Sequence, residues 1–162
     1  MKKGLKRIYY MIVPWRDVSK KIYIVYNKMN KAHRRGHKFF ASFYCYRIEK
    51  KYQCRISPGS EIGANLSLPH PNGIVIGKGS KIGKNVTIYQ QVTIGQNHGK
   101  YPVIGDNVII YSGAKIIGDI YIGDNCVIGA NAVVVDNVSE NSIVGGVPAK
   151  KIRRHNPRES YI

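Results

Sequence analysis

A mainly β solenoid of short parallel strands, preceded by a short α-helical segment, is the fold class this chain predicts. Three observations lead there. An aliphatic residue recurs every six positions at Ile56, Ile62 and Leu68, at Ile76, Ile82, Ile88 and Ile94, and from Ile104 through Ile110, Ile116, Ile122 and Ile128 to Val134. Glycine follows it at 63, 77, 83, 95, 105, 123 and 129. Four places after it comes a residue able to pack in a tight interior: Ser60, Leu66, Ser80, Val86, Val92, Val108, Ala114, Ile120, Cys126, Ala132 or Val138. A fixed short period means that each turn buries its apolar edge only against its neighbours. Six residues match the 3.6-residue turn of a helix poorly, and frequent Gly and β-branched residues oppose one.

The repeat occupies residues 56–149 and breaks twice. Two extra residues fall between Leu68 and Ile76, in Leu-Pro-His-Pro-Asn-Gly-Ile-Val, and four between Ile94 and Ile104, in Ile-Gly-Gln-Asn-His-Gly-Lys-Tyr-Pro-Val. Insertions in a repeat leave the regular wall as loops, often on the binding face. Each carries a histidine, His70 and His98, and the repeat has no other.

The helical segment is expected within residues 1–55. Val18, Ile22, Val25, Met29 and Ala32 step at helical spacing, with Asp17 as a candidate N-cap. Gly36 interrupts, and Phe39, Phe40, Phe43, Tyr44, Arg47 and Ile48 resume the spacing. Two amphipathic helices of about 12–15 residues are predicted, their apolar faces packed on the coil or on another subunit. Residues 150–162 form a basic C-terminal tail.

The formal charge of +17 sits at the two ends. Residues 1–55 hold 16 Lys/Arg against Asp17 and Glu49, whereas the repeat is close to neutral. No nucleic-acid motif accompanies the charge, so nucleic acid is not expected as a partner. Aromatics interleaved with the bases, from Tyr9, Tyr10 and Trp15 to Tyr46, make peripheral membrane contact the second use for this segment. The run Ile8–Val13 is too short for a span and lacks a secretory cleavage site. Cys45, Cys54 and Cys126 are an odd set without metal-ligand spacing, which predicts reduced thiols, a cytoplasmic location and no metal, with Cys126 in the core.

Hexapeptide ladders of this form resemble the left-handed parallel β-helix, a prism with three short faces per coil. Leu68-Pro-His-Pro-Asn-Gly-Ile-Val-Ile-Gly77 is similar to the active-site strand of hexapeptide-repeat acyltransferases of the serine acetyltransferase-like branch. The similarity continues through Tyr89-Gln-Gln-Val-Thr-Ile-Gly95, Gly113-Ala-Lys-Ile-Ile-Gly118 and Ile128-Gly-Ala130, and closes at Gly145-Gly-Val-Pro-Ala149. The resemblance implies acetyl-CoA as cosubstrate, His70 as general base and a homotrimer with sites between subunits. It also implies Ser112 N–H as donor to the oxyanion, and Ser112, Gly113, Ala130, Pro148, Lys150, Lys151, Arg153 and Arg154 along the CoA path. An imidazole suits the chemistry, because the acceptor hydroxyl must lose its proton as the C–O bond forms.

Serine acetyltransferases carry Asp-Ile-His-Pro ahead of the base, where this chain reads Arg55-Ile56-Ser57-Pro58. They have Asp directly before the base, where it has Pro69, and Arg-His-Pro in the acceptor loop, where it has Lys100-Tyr101-Pro102. Those acids would meet an amino-acid ammonium. A saccharide hydroxyl is therefore the expected acceptor, as in polysaccharide O-acetyltransferases, with Asn72, Gln90, Gln91, His98, Lys100 and Tyr101 as its contacts. Serine and an amino sugar are the alternatives.

Overall fold

The computed structural model describes residues 18–156. Asp17 and the aromatic-basic stretch before it, and the tail beyond Asn156, lie outside the described residues. Two helices, α1 (Val18–Arg34) and α2 (Lys38–Tyr52), precede the coil. They join at Gly36, whose φ of +76° is a left-handed turn conformation open to glycine.

The coil is a left-handed parallel β-helix of about four turns, built from very short strands in three sheets. The first sheet stacks β1 (Arg55–Ile56), β3 (Val75–Ile76), β6 (Thr93–Gly95), β9 (Lys115–Ile117) and β12 (Val133–Val134). The second stacks β2 (Glu61–Ile62), β4 (Lys81–Ile82), β7 (Val103–Ile104) and β10 (Tyr121–Ile122). The third holds β5 (Thr87–Ile88), β8 (Ile109–Ile110), β11 (Val127–Ile128), β13 (Ser142–Gly145) and β14 (Lys150–Arg154).

Register explains how the insertions are absorbed. Ile76 pairs with Ile94, 18 residues on, which is three hexapeptides; Ile56 pairs with Ile76 across 20 and Ile94 with Ile116 across 22. The extra residues leave at the corners, and the inward isoleucines stay stacked. Of the thirteen ladder residues all are buried but Ile62, which is half-buried, and the whole companion set from Ser60 to Val138 is buried. A side chain that slipped register would exchange core for solvent, so burial holds the ladder in step.

The basic stretch from Lys150 opens as β14, which folds back antiparallel on β13 and closes the third sheet with an exposed, cationic edge. Charged edge strands deter pairing with other chains.

The helices pack on the first coil. Ile22, Tyr26, Met29, Ala41 and Ile48 join the same buried cluster as the ladder. Tyr26 Oη donates to the Ser60 carbonyl (3.0 Å) and accepts from the Ile62 N–H (2.9 Å), and Asn30 Nδ2 also donates to it (2.6 Å). The apolar face expected of α2 is corrected. Its buried side is Ala41 and Ile48, with Tyr44, Cys45 and Tyr52 packed around them, whereas Phe39, Phe40 and Phe43 are exposed. The helix is apolar on both sides, so spacing alone did not distinguish the packed side from the free one.

Candidate active site

The first insertion turns on Gly73, whose φ is +72°. Three bonds from the helical segment hold it. Ser19 Oγ accepts from the Leu68 N–H (2.7 Å), the Gln53 carbonyl accepts from the Gly73 N–H (2.7 Å), and Asn72 Nδ2 donates to Gln53 Oε1 (3.1 Å). Gln53 is itself in the left-handed conformation that ends α2. The helices therefore clamp the loop that carries His70.

His70 is exposed and lines a cleft of about 740 Å³. The insertion supplies Pro69, His70, Pro71 and Asn72; α1 supplies Val18; the end of α2 supplies Lys51, Tyr52 and Gln53. Among the described residues the lining contains a cation and two amides but no carboxylate. None of the described residues hydrogen-bonds the imidazole.

Six other expected residues share a prism edge with His70. The turns between the third and first sheets contain Asn72, then Gln90 and Gln91, then Ser112 and Gly113, then Ala130. Their backbones are stacked rung on rung: Gln91 N–H donates to Asn72 (2.9 Å), Gly113 N–H to Gln90 (2.9 Å), and Asn131 N–H to Ser112 (2.8 Å). The N–H groups of Gln90, Ser112 and Ala130 make no hydrogen bond within the described residues, which leaves a row of donors along this edge. Gln90 Oε1 is buried and makes no hydrogen bond to another described residue. At Gly113, whose φ is +75°, an added Cβ would displace the Asn131 amide, 2.0 Å away.

The hairpin between β13 and β14 ends the same edge. Val133 N–H donates to the Gly146 carbonyl and Ala149 N–H to Val133, which puts Pro148 beside the last rung and Lys150, Lys151 and Arg153 on the returning strand. Lys150 Nζ lies 3.6 Å from Asp136 Oδ2.

The second insertion leaves from a different corner, between the first and second sheets, so His98, Lys100 and Tyr101 do not join His70 within one chain. It is a tight hairpin with Asn97 and Lys100 bonded both ways at 3.0 Å. Lys100 pairs with Asp119, which raises its pKa and keeps it cationic. The Tyr101 ring lies over Gly77 and Gly79, where a Cβ would come within 2.6 Å and 2.3 Å of its carbons.

Two features of the His70 edge were not anticipated: the wall from α2, and Tyr89 stacked on Tyr111 at 5.3 Å and 14°. The signal for the tyrosines is present in the repeat, since each follows an inward isoleucine. Among the described residues no group of three or more His, Cys, Asp or Glu is placed to hold a metal ion.

The family model for the bacterial transferase hexapeptide (six repeats) matches residues 101–136. Over those residues the chain resembles the hexapeptide-repeat transferases. The chain is 47% identical over 107 residues to a serine acetyltransferase of Staphylococcus xylosus, a match that covers 64% of this chain and 50% of that protein. Among solved structures, the serine acetyltransferase of Vibrio cholerae superposes with a TM-score of 0.82 at 33% identity, over 86% of this chain and 55% of that one. A serine acetyltransferase in complex with CoA superposes with a TM-score of 0.78 at 33% identity, over 81% and 55%. The chain spans about half the length of the curated relatives it matches.

Proposed function

We propose that this chain transfers an acetyl group from acetyl-CoA to a hydroxyl, directly and without a covalent enzyme intermediate. His70, in a solvent-open cleft at one end of a row of unpaired N–H donors, is the observation that carries this reading. The imidazole takes the hydroxyl proton as the oxygen attacks the thioester carbonyl. The resulting oxyanion lies against Ser112 N–H, and collapse of the tetrahedral intermediate expels the thiolate, which receives the proton from His70. Pantetheine would follow the edge past Gly113 and Ala130 to Pro148, with Lys150, Lys151 and Arg153 near the CoA phosphates.

The relatives, named as serine acetyltransferases, support L-serine as acceptor better than the saccharide expected from sequence. One observation favours the saccharide hydroxyl as a second reading: among the described residues the cleft lining offers Lys51, Gln53 and Asn72 but no carboxylate to meet an ammonium. The second-loop residues His98, Lys100 and Tyr101 would reach the acceptor from a neighbouring subunit of a homotrimer.

The test follows CoA thiol release and product mass from acetyl-CoA with serine and with a panel of saccharides, using His70→Ala as control. Release with serine supports the first reading, and release only with a sugar the second. Thiol release by His70→Ala at the wild-type rate overturns the mechanism.

A further inference from the structure

The free side of α2 carries an aromatic stripe with no packing role. On a helical projection Phe39, Phe43, Tyr46 and Lys50 fall within one narrow sector, diametrically opposite buried Ile48 and Ala41. Phe39 is 78% exposed, Phe40 55%, Phe43 47% and Tyr46 57%. Exposed aromatics on this scale, contiguous on one helix face, mark an interaction surface.

The charge around the stripe selects the partner. From residue 18 to 55 the chain carries eleven Lys/Arg against a single acid, Glu49, and among the described residues none of these cations forms an ion pair. Lys50 lies in the same sector and Arg47 beside it, with the Arg47 guanidinium 5.9 Å from the Phe43 ring centre, and Lys38 opens the helix just before Phe39. A symmetric contact with a second copy would set this cationic segment against itself. The cations are spread along the helix rather than gathered at one point, which suits a diffuse anionic plane better than a single acidic side chain.

We infer that α2 docks this protein on the surface of a bilayer containing anionic lipid, with Phe39, Phe40, Phe43 and Tyr46 entering the headgroup boundary and Lys38, Arg47 and Lys50 meeting the lipid phosphates. No helix among the described residues is long and apolar enough to cross a membrane, so the attachment is peripheral and reversible. The inference is independent of the catalytic reading, because its test requires no turnover.

Full-length protein is sedimented with phosphatidylcholine vesicles, with and without phosphatidylglycerol, at low and high salt. Retention is expected only on the anionic vesicles and is lost at high salt. Phe39→Ser/Phe43→Ser and, separately, Lys38→Glu/Lys50→Glu each lower the partition coefficient by at least about tenfold. Both pairs are exposed, so melting temperature and molar mass in solution stay at the wild-type values. Failure of the wild type to sediment with anionic vesicles overturns the inference, as does equal retention of either variant. A fall in molar mass of Phe39→Ser/Phe43→Ser would show instead that a second copy covers the stripe.

Discussion

Asn107 occupies a corner with φ of +56°, where a branched or bulky side chain would be strained. Its amide donates to Asn125 Oδ1 at 3.1 Å and accepts from Asn85 Nδ2 at 3.0 Å, inside a ladder that runs from Asn65 to Asn141. Asparagine is chosen twice over, since it tolerates the left-handed backbone and bonds its copies above and below. Asn107→Gly keeps the backbone and loses the ladder, and should lower stability by about 1 kcal/mol. Asn107→Ala adds the left-handed cost and should lose about 1 kcal/mol more in urea titrations. At Cys54, burial pushes the thiol from 9.0 up to about 12. The folded state therefore holds that proton more tightly than the unfolded chain. Its contribution is full below pH 9 and is lost as pH rises from 9 towards 12. The urea midpoint should fall over that window, and the fall should shrink in Cys54→Val. A midpoint indifferent to pH in both proteins would remove the effect.

At the scale of elements, α1 and α2 are parts of the site rather than an appendage. Ser19 and Gln53 hold the two ends of the His70 loop, and the end of α2 walls the cleft. Gln53→Ala removes the bond to Asn72 but leaves the backbone bond to Gly73. It should reduce kcat severalfold, with the melting temperature moving by only a few degrees. A kcat unchanged by Gln53→Ala would show that the turn holds His70 without its side chain. The coil itself was legible, because inward positions recur at a period that no helix shares. Since three hexapeptides make one turn, Asn72, Gln90, Gln91, Ser112, Gly113 and Ala130 fall on one edge by counting alone. The wall from Lys51 to Gln53 was not legible, for it depends on how α2 lies against a coil that follows it. Nor was the packed side of α2: with Phe39 and Phe43 on one side and Ala41 and Ile48 on the other, periodicity favours the larger residues. Long-range contact buried the smaller ones. The Asn ladder left a signal, one asparagine just before Leu66, Val86, Val108, Cys126 and Ser142, visible only once the corners are assigned.

The whole prism presents its two broken rungs at different corners, His70 between the third and first sheets and His98 between the first and second. The first sheet runs between these two corners, its strands paired in register from β3 through β6 to β9. The proposed homotrimer sets the His70 edge of one copy against the Lys100-Tyr101 loop of the next, each interface holding half of its residues from either side. Complementation tests that arrangement directly. His70→Ala and a loop variant, Lys100→Ala/Tyr101→Ala, should each be nearly inactive alone, the first down about 10²–10⁴-fold for loss of acid–base transfer. Co-refolded from denaturant in equal amounts, they form mixed trimers, and some interfaces then combine an intact imidazole with an intact loop. Activity should return to a substantial fraction of wild type after co-refolding but not after simple mixing of folded proteins. If co-refolded protein remains as inactive as its parents while its mass shows trimers, both loops serve a site within one chain, and the shared cleft is wrong.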